Sequence, residues 1–448
     1  MQRRDFLKAL GAGAMLASGL SIKSVFANAA PHVVIVGGGV GGATAAKYLK
    51  LADPNIRVTV IEKNPVYLRP YGSSEVLNDH IGMDDLEVRY DRLRDRYGIE
   101  FLFDMVTGVD PHRRTVRTAG GATLGYDRMI VSPGIQLLYE RIEGYSASVA
   151  ESRIPSAWIP GTQTRLLRDQ LHAMRPGGTF VIVAPPNPYR CPPGPYERGA
   201  LMAEWFKVHN PTAKVIILDA KDSFVPGPSM LLGWNRLYGY NVPERFQEGM
   251  PTEGEWPMKI HDAPGMLDWV AGRDGGRVLS VDPASLSVET EAGRFKADVL
   301  NIVPPMVAGR VAFELDLVDG RGYCPIDRRT HESTRHPGIH VIGDACVADA
   351  MPKSGFSANT QAKVAARAVV DLLAGRDTQA PLWENTCYAL AGTEYGLYVA
   401  DIFRLVDGRI TRMEGPRFLP LDASRAQIRI GALYQQNWMR TFTEDCFA

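Results

Sequence analysis

The chain of 448 residues carries 50 Lys and Arg against 50 Asp and Glu, a formal net charge of zero. With 45% of its residues apolar and 22% charged, it has a globular composition and length enough for two or three cores. There is no basic excess or Lys/Arg stripe, which argues against nucleic-acid binding, and the scattered glycines and prolines read as turns rather than low complexity.

The first segment, "MQRRDFLKALGAGAMLASGLSIKSVFANAA", has Arg3-Arg4, then Phe6-Leu7-Lys8, a modest apolar run and a small-residue "ANA". This is the pattern of a twin-arginine export signal over 1–29, with cleavage expected after Ala29 or Ala27. The expectation is a mature protein delivered folded to the periplasm. The apolar run is short for a bilayer span, and no later segment reaches transmembrane length.

"PHVVIVGGGVGGATAAKYLK" follows: a short apolar strand, Gly37, Gly39 and Gly42, then an alanine-rich helix. Glycines at this spacing give a tight turn, let backbone N–H groups approach a pyrophosphate and let helix pack on strand. The helix start adds positive potential for the phosphates. A second strand, "NIRVTVIEKN", ends on Glu62 and Lys63, about twenty residues on, where a ribose-binding acid belongs. "YDRMIVSPG" is a third strand, closing on the small turn Pro133-Gly134.

A second α/β unit is expected over 151–295, with strands in "GGTFVIVAPP" and "AKVIILDAKD". Asp219 stands where a ribose-binding acid would be, but the turn after the first strand, "NPYRCPPGPYERG", has prolines in place of glycines. Proline removes N–H donors, so a nicotinamide dinucleotide site there is disfavoured. "GIHVIGDAC" then supplies another strand ending on Gly343-Asp344. The loop "MPKSGFSAN", with Lys353, Ser354 and Asn359, opens a helix whose positive end points toward the cofactor. The reading is α/β: two Rossmann-like domains of the glutathione-reductase type, plus a C-terminal α+β interface domain. The first comprises 30–150 and 296–380, the second 151–295, and the C-terminal domain 381–448. FAD is the expected cofactor.

Five cysteines, Cys191, Cys324, Cys346, Cys387 and Cys446, leave at least one thiol unpaired within the chain. Spacing does not choose pairs.

Together, "PNPYRCPPGPYERG", "GYCPID", "GIHVIGDACVADAMPKSGFSAN" and "CYALAGTEYGLYVADIF" resemble the flavoprotein subunit of flavocytochrome c sulfide dehydrogenase, over essentially the whole mature chain. The resemblance implies FAD, with Asp344 on its ribityl chain, and a redox-active disulfide over the flavin between Cys191 and Cys324. It also implies an active-site acid at Glu197 and transfer of electrons to a separate small c-type cytochrome subunit. Hydrosulfide would open the disulfide to a persulfide and a thiolate. Glu197 might equally be a surface acid paired with Arg190 or Arg198, and the cysteines a structural bridge or inert thiols. Cys346 reads as a packed residue, Cys387 and Cys446 as buried thiols or a second bridge. Trp438 is expected either at the flavin ring or in plain core.

The chain departs from the family in one loop. Relatives attach FAD through a cysteine that falls here at Pro70, and no cysteine precedes position 191. Non-covalent FAD is therefore expected. No Cys-x-x-Cys-His haem motif occurs, so no haem is expected on this chain. No metal is expected. Two other readings stay open: a sulfide:quinone reductase-like enzyme, and a non-catalytic or activating flavoprotein subunit of a sulfur-oxidation assembly. A pyridine-nucleotide disulfide reductase is disfavoured by the proline-filled loop.

Overall fold

The structure, a computed structural model, describes residues 30–448, so the expected export signal lies outside the described residues. The run His32–Val36 forms β1, buried along its whole length, and Val40–Ala52 forms helix α1. Then come β2 (Arg57–Glu62), the short β3 (Val66–Leu68), β4 (Glu100–Phe103) and β5 (Arg128–Val131). The proline-loop unit supplies β6 (Thr179–Val183), helix α2 (Gly194–His209), β7 (Lys214–Leu218), β8 (Leu267–Val270) and β9 (Val299–Ile302). The chain then returns with β10 (Ile339–Val341) and helix α3 (Gly355–Leu373). It ends in β11 (Leu382–Gly392), β12 (Tyr395–Val406), β13 (Arg409–Arg412) and helix α4 (Arg425–Phe447).

Two parallel sheets result. The first runs β10-β5-β1-β2-β4 and the second β8-β7-β6-β9. Helices cover both faces of such sheets, which is why the strands are near-continuous Val/Ile runs rather than alternating ones. The strands expected in "YDRMIVSPG", "GGTFVIVAPP", "AKVIILDAKD" and "GIHVIGDAC" all form. The C-terminal motif is the long antiparallel hairpin β11–β12 with β13 at its edge. The architecture is two Rossmann-like units plus a C-terminal hairpin and helix.

α4 fastens the C-terminal segment to the first sheet's helices. Lys47 Nζ donates to the Asp445 carbonyl at 3.0 Å, Tyr48 to Asp445 Oδ1 at 2.7 Å, and Lys363 pairs with Asp445 at 2.8 Å. Among the described residues, no helix is long and apolar enough to cross a membrane.

Candidate functional site

The glycine turn after β1 is as tight as its spacing predicts. Gly37 has φ of +95°, and a Cβ there would sit 2.4 Å from the Ser132 carbonyl oxygen. A Cβ on Gly42 would lie 1.8 Å from the Gly37 oxygen, so neither position admits a side chain. Gly39 is the N-cap of α1. The Glu62 carboxylate reaches back over the turn, accepting the Gly38 N–H at 2.7 Å and the Asn64 N–H at 2.9 Å. Lys63 beside it is exposed. Gly134, with φ of +64°, accepts the Gly309 N–H at 2.9 Å, next to half-buried Pro133.

The strongest mark of a missing partner is Asp344. Its Oδ1 is buried with no hydrogen-bond partner in the protein, and burial raises its carboxyl above the usual range. Such an atom normally finds a donor, and a ribityl hydroxyl supplies one. Glycine turn, Glu62 and orphaned Asp344 together fit a flavin dinucleotide. Gly343 (φ +76°) lets the chain turn here, its N–H donating to Gln361 at 2.8 Å. Lys353 Nζ closes the loop, donating to the Asp344 carbonyl at 2.7 Å and the Cys346 carbonyl at 3.1 Å.

Two residues expected at the cofactor have their side chains engaged elsewhere. Asn359 bonds Asp445 Oδ2 at 2.8 Å and Thr44 at 3.2 Å, tying α3 to α4 and α1. Ser354 is the N-cap of α3, accepting the Ser357 N–H at 3.0 Å and donating to Asn385 at 2.6 Å.

The cysteines differ most from expectation. All five are free thiols, and Cys191 is the exposed one. Cys324 is fully buried; it bridges Cys346 backbone to backbone, and the charges bearing on its thiol are Cys346, Lys353 and Asp319, with Cys191 not among them. Cys387, on β11, is the thiol whose charge bears on Cys191. Cys191 donates its backbone N–H to the Lys353 carbonyl at 2.8 Å, and Cys387 Sγ donates to the same Asn385 that holds Ser354. Neither Cys324 nor Cys387 is bonded to Cys191; Cys191 and Cys387 both sit at the head of α3, the first through the Lys353 carbonyl and the second through Asn385, which also holds Ser354. Spacing could not show this, because the hairpin carrying Cys387 folds back across the second sheet's unit.

The Glu197 charge bears on both Cys191 and Cys387. Its Oε1 accepts the Leu390 N–H from β11 at 2.8 Å, and it pairs with neither Arg190 nor Arg198. Burial, aided by Glu75, pushes its carboxyl up to about 8. Cys191, although exposed at its surface, is crowded by protein on its other sides; that burial first, then Glu197 and Cys387, pushes it up to about 12. Burial holds Cys387 at about 11. The site therefore keeps its acid protonated at neutral pH, beside two sulfurs.

Asp219, at the strand end of the second unit, is sealed. Lys221 Nζ meets it at 2.6 Å, Trp269 Nε1 donates to it at 3.2 Å, and the Tyr196 hydroxyl also bonds it. Trp438 stacks on Phe442 at 4.8 Å in an aromatic cluster with Tyr71 and Tyr388, its Nε1 buried without a partner. Tyr71 follows Pro70, so the loop that carries Pro70 packs on α4.

This combination of two Rossmann-like sheets, one intact dinucleotide cradle and a buried acid near free thiols fits a flavoprotein of the disulfide-oxidoreductase class. Residues 31–157 match the profile described as pyridine nucleotide-disulphide oxidoreductase. Residues 164–304 match "Sulfide dehydrogenase (flavocytochrome c) flavoprotein chain, central", and residues 379–447 match "Flavocytochrome c sulphide dehydrogenase, flavin-binding". A sulfide dehydrogenase flavoprotein chain of Chlorobaculum thiosulfatiphilum is 53% identical over 37 residues, 8% of this chain and 77% of that one. The chain belongs to the flavocytochrome c sulfide dehydrogenase flavoprotein family. It is also similar to the mitochondrial sulfide:quinone oxidoreductase of Mus musculus, 23% identical over 70% of this chain. The match spans 65% of the mouse protein's own length. The solved sulfide:quinone oxidoreductase of Aquifex aeolicus shares the fold, with a TM-score of 0.66 at 18% identity, covering 93% of this chain and 92% of that one.

Proposed function

We propose that the protein oxidises hydrosulfide to sulfane sulfur through a Cys191–Cys387 redox couple and a non-covalent FAD, passing the electrons to a small c-type cytochrome subunit in the periplasm. The convergence of Cys191, Cys387 and Glu197 at the head of α3, next to orphaned Asp344, carries this reading. In the oxidised couple, hydrosulfide attacks Cys191, the exposed sulfur. A sulfur–sulfur bond forms to Cys191 and the Cys191–Cys387 bond breaks, leaving a persulfide on Cys191 and a thiolate on Cys387. Glu197, protonated below about pH 8, gives the Cys387 thiolate its proton. Release of the sulfane sulfur to a second hydrosulfide leaves two thiols. When bound, the flavin would supply the two-electron acceptor needed for the Cys191 and Cys387 thiols to return to the disulfide, with loss of two protons.

Gly37, Gly39, Gly42, Glu62 and Asp344 would hold the dinucleotide. Pro70 in the linking position supports a dissociable cofactor, so acid precipitation should leave the flavin in the supernatant. The deciding experiment is anaerobic spectroscopy: sulfide bleaches the flavin within the mixing time, and NADH does not. No bleaching by sulfide would leave an accessory flavoprotein. The likeness to sulfide:quinone oxidoreductases favours a second reading in which the acceptor is a quinone. Steady-state assays with cytochrome c and with decylubiquinone separate the two.

A further inference from the structure

Arg198 is 2% exposed, and its guanidinium meets only neutral acceptors. It donates to the Ser156 carbonyl at 3.1 Å, Asn301 Oδ1 at 2.9 Å and the Ala157 carbonyl at 2.9 Å. Its Nε lies 3.5 Å from Ser74 Oγ, and it stacks 5.2 Å over the Trp158 ring. Among the described residues no carboxylate forms an ion pair with it. Buried Lys221, by contrast, is matched by Asp219 at 2.6 Å. A buried charge is normally paired, because leaving it unpaired in a low dielectric costs several kcal/mol. Asn301 fixes the cradle, donating to Pro155 and Ser156 carbonyls at 2.7 and 2.8 Å.

What the cation faces is the Trp158–Cys191 corner. A Cβ on Gly194, the first residue of α2, would lie 2.6 Å from the Trp158 ring and 3.1 Å from Cys191 Sγ, so ring and sulfur share that corner. Arg190, next to Cys191, donates to the Trp158 carbonyl and forms no ion pair among the described residues, though its charge also bears on Asp344. The positive end of α2 points the same way. The groups whose charge bears on Cys191 include Arg190 from the loop, Glu197 from α2 and Cys387 from β11, and Cys191 in turn bears on Arg198. Glu197 is held protonated and does not cancel the two cations.

We propose that Arg198 and Arg190 form an anion site at the Cys191 sulfur, built for a small soft monoanion: hydrosulfide on approach, then the terminal sulfur of the persulfide on Cys191. The site deepens the functional reading above and rests on Cys191 as the attacked sulfur. Arg198 and Arg190 are positioning residues that act through charge.

Charge selectivity of alkylation tests this without sulfide turnover. In a Cys387→Ser background, reduced and flavin-loaded, Cys191 is reacted with iodoacetate (anionic) and iodoacetamide (neutral), and its modification is followed by mass spectrometry. The ratio of the two rates cancels the thiolate fraction and reports the local potential. Relative to glutathione, the ratio should rise about tenfold or more, and Arg190→Gln and Arg198→Met should each lower it by about tenfold. Thiocyanate should slow iodoacetate more than iodoacetamide, and Arg190→Lys should restore the ratio. If Arg198→Met does not fold, the Arg190 variants and thiocyanate decide. A wild-type ratio equal to that of glutathione, or one unmoved by Arg190→Gln, overturns the site. A wild type with the arginine-dependent ratio but no bleaching by sulfide would overturn the functional reading and leave the anion site standing.

Discussion

Both parallel sheets send their central strand through a turn into a helix whose positive end faces the site, yet the turns do opposite things. After β1 the turn is glycine, its backbone is open to a pyrophosphate, and Asp344 waits nearby without a partner. After β6 the turn is proline-rich, Asp219 is closed by Lys221, Trp269 and Tyr196, and the helix faces Cys191. One helix end is suited to a phosphate and the other to a sulfur anion. The lesson is that a Rossmann-like unit can lose its nucleotide and keep the electrostatics that served it.

That contrast breaks most sharply at the sulfurs. Cys191→Ser or Cys387→Ser should retain flavin and lose about 10³-fold in kcat/KM for sulfide, whereas Cys324→Ser should stay within about threefold. A crippled Cys324→Ser variant with an active Cys387→Ser one would return the redox role to Cys324. Next in size is Asp219. Asp219→Asn should leave Lys221 buried and unpaired, lowering stability by about 3 kcal/mol in urea unfolding, with the flavin still unresponsive to NADH. An unchanged urea midpoint would mean the seal at Asp219 is not structural.

The difference between the two turns also explains what could be read from sequence. Strands and helix starts were legible because parallel strands are unbroken apolar runs and glycine spacing has one steric meaning. Asp344 was legible as a strand-end acid after Gly343. The partner of Cys191 was not, since any of four downstream cysteines would return from a distant part of the chain, and it is the hairpin's path that brings Cys387 to the head of α3 and makes it the proposed one. Arg198 looked like a candidate surface partner for Glu197. Its burial depends on Ser156, Ala157 and Asn301, which come from two segments far apart in the chain. Ser354, expected at the cofactor, instead caps α3 with its hydroxyl.

The two units should also part company in acid. His331 and His340, fully buried beside the first sheet, are held neutral down to about 4 by burial. The unfolded chain takes up protons below about 6.5, so their stabilisation is full above that pH and is lost as pH falls toward 4, by roughly 3 kcal/mol each. Trp383 donates its Nε1–H to His331 at 3.1 Å and reports locally. Its fluorescence should change in urea at pH 4.5 before the buried tryptophans of the second unit, Trp234 and Trp269, respond. Coincident transitions, or the reverse order, would show that the acid-sensitive unit is misassigned.

The smallest effect belongs to Glu197, which joins the two regions through its bond to Leu390 on β11. A carboxyl raised to about 8 is protonated at neutral pH, which in the proposed reaction lets it give a proton to the leaving Cys387 sulfur. Activity should therefore decline as pH rises through 8. Glu197→Gln keeps the Leu390 bond but has no proton to give, so the rate of flavin bleaching by sulfide at pH 7 should fall about tenfold. The alkaline limb assigned to Glu197 should vanish from the pH profile of the variant. A purely structural role predicts a uniform loss with that limb intact. Because the same carboxyl is raised from 4.5 to about 8 by burial, the fold loses its contribution as pH rises from 4.5 through 8, so the profile is read from single-turnover bleaching within seconds of a pH jump. A limb that persists in Glu197→Gln would shift the donor role to another group at the head of α3.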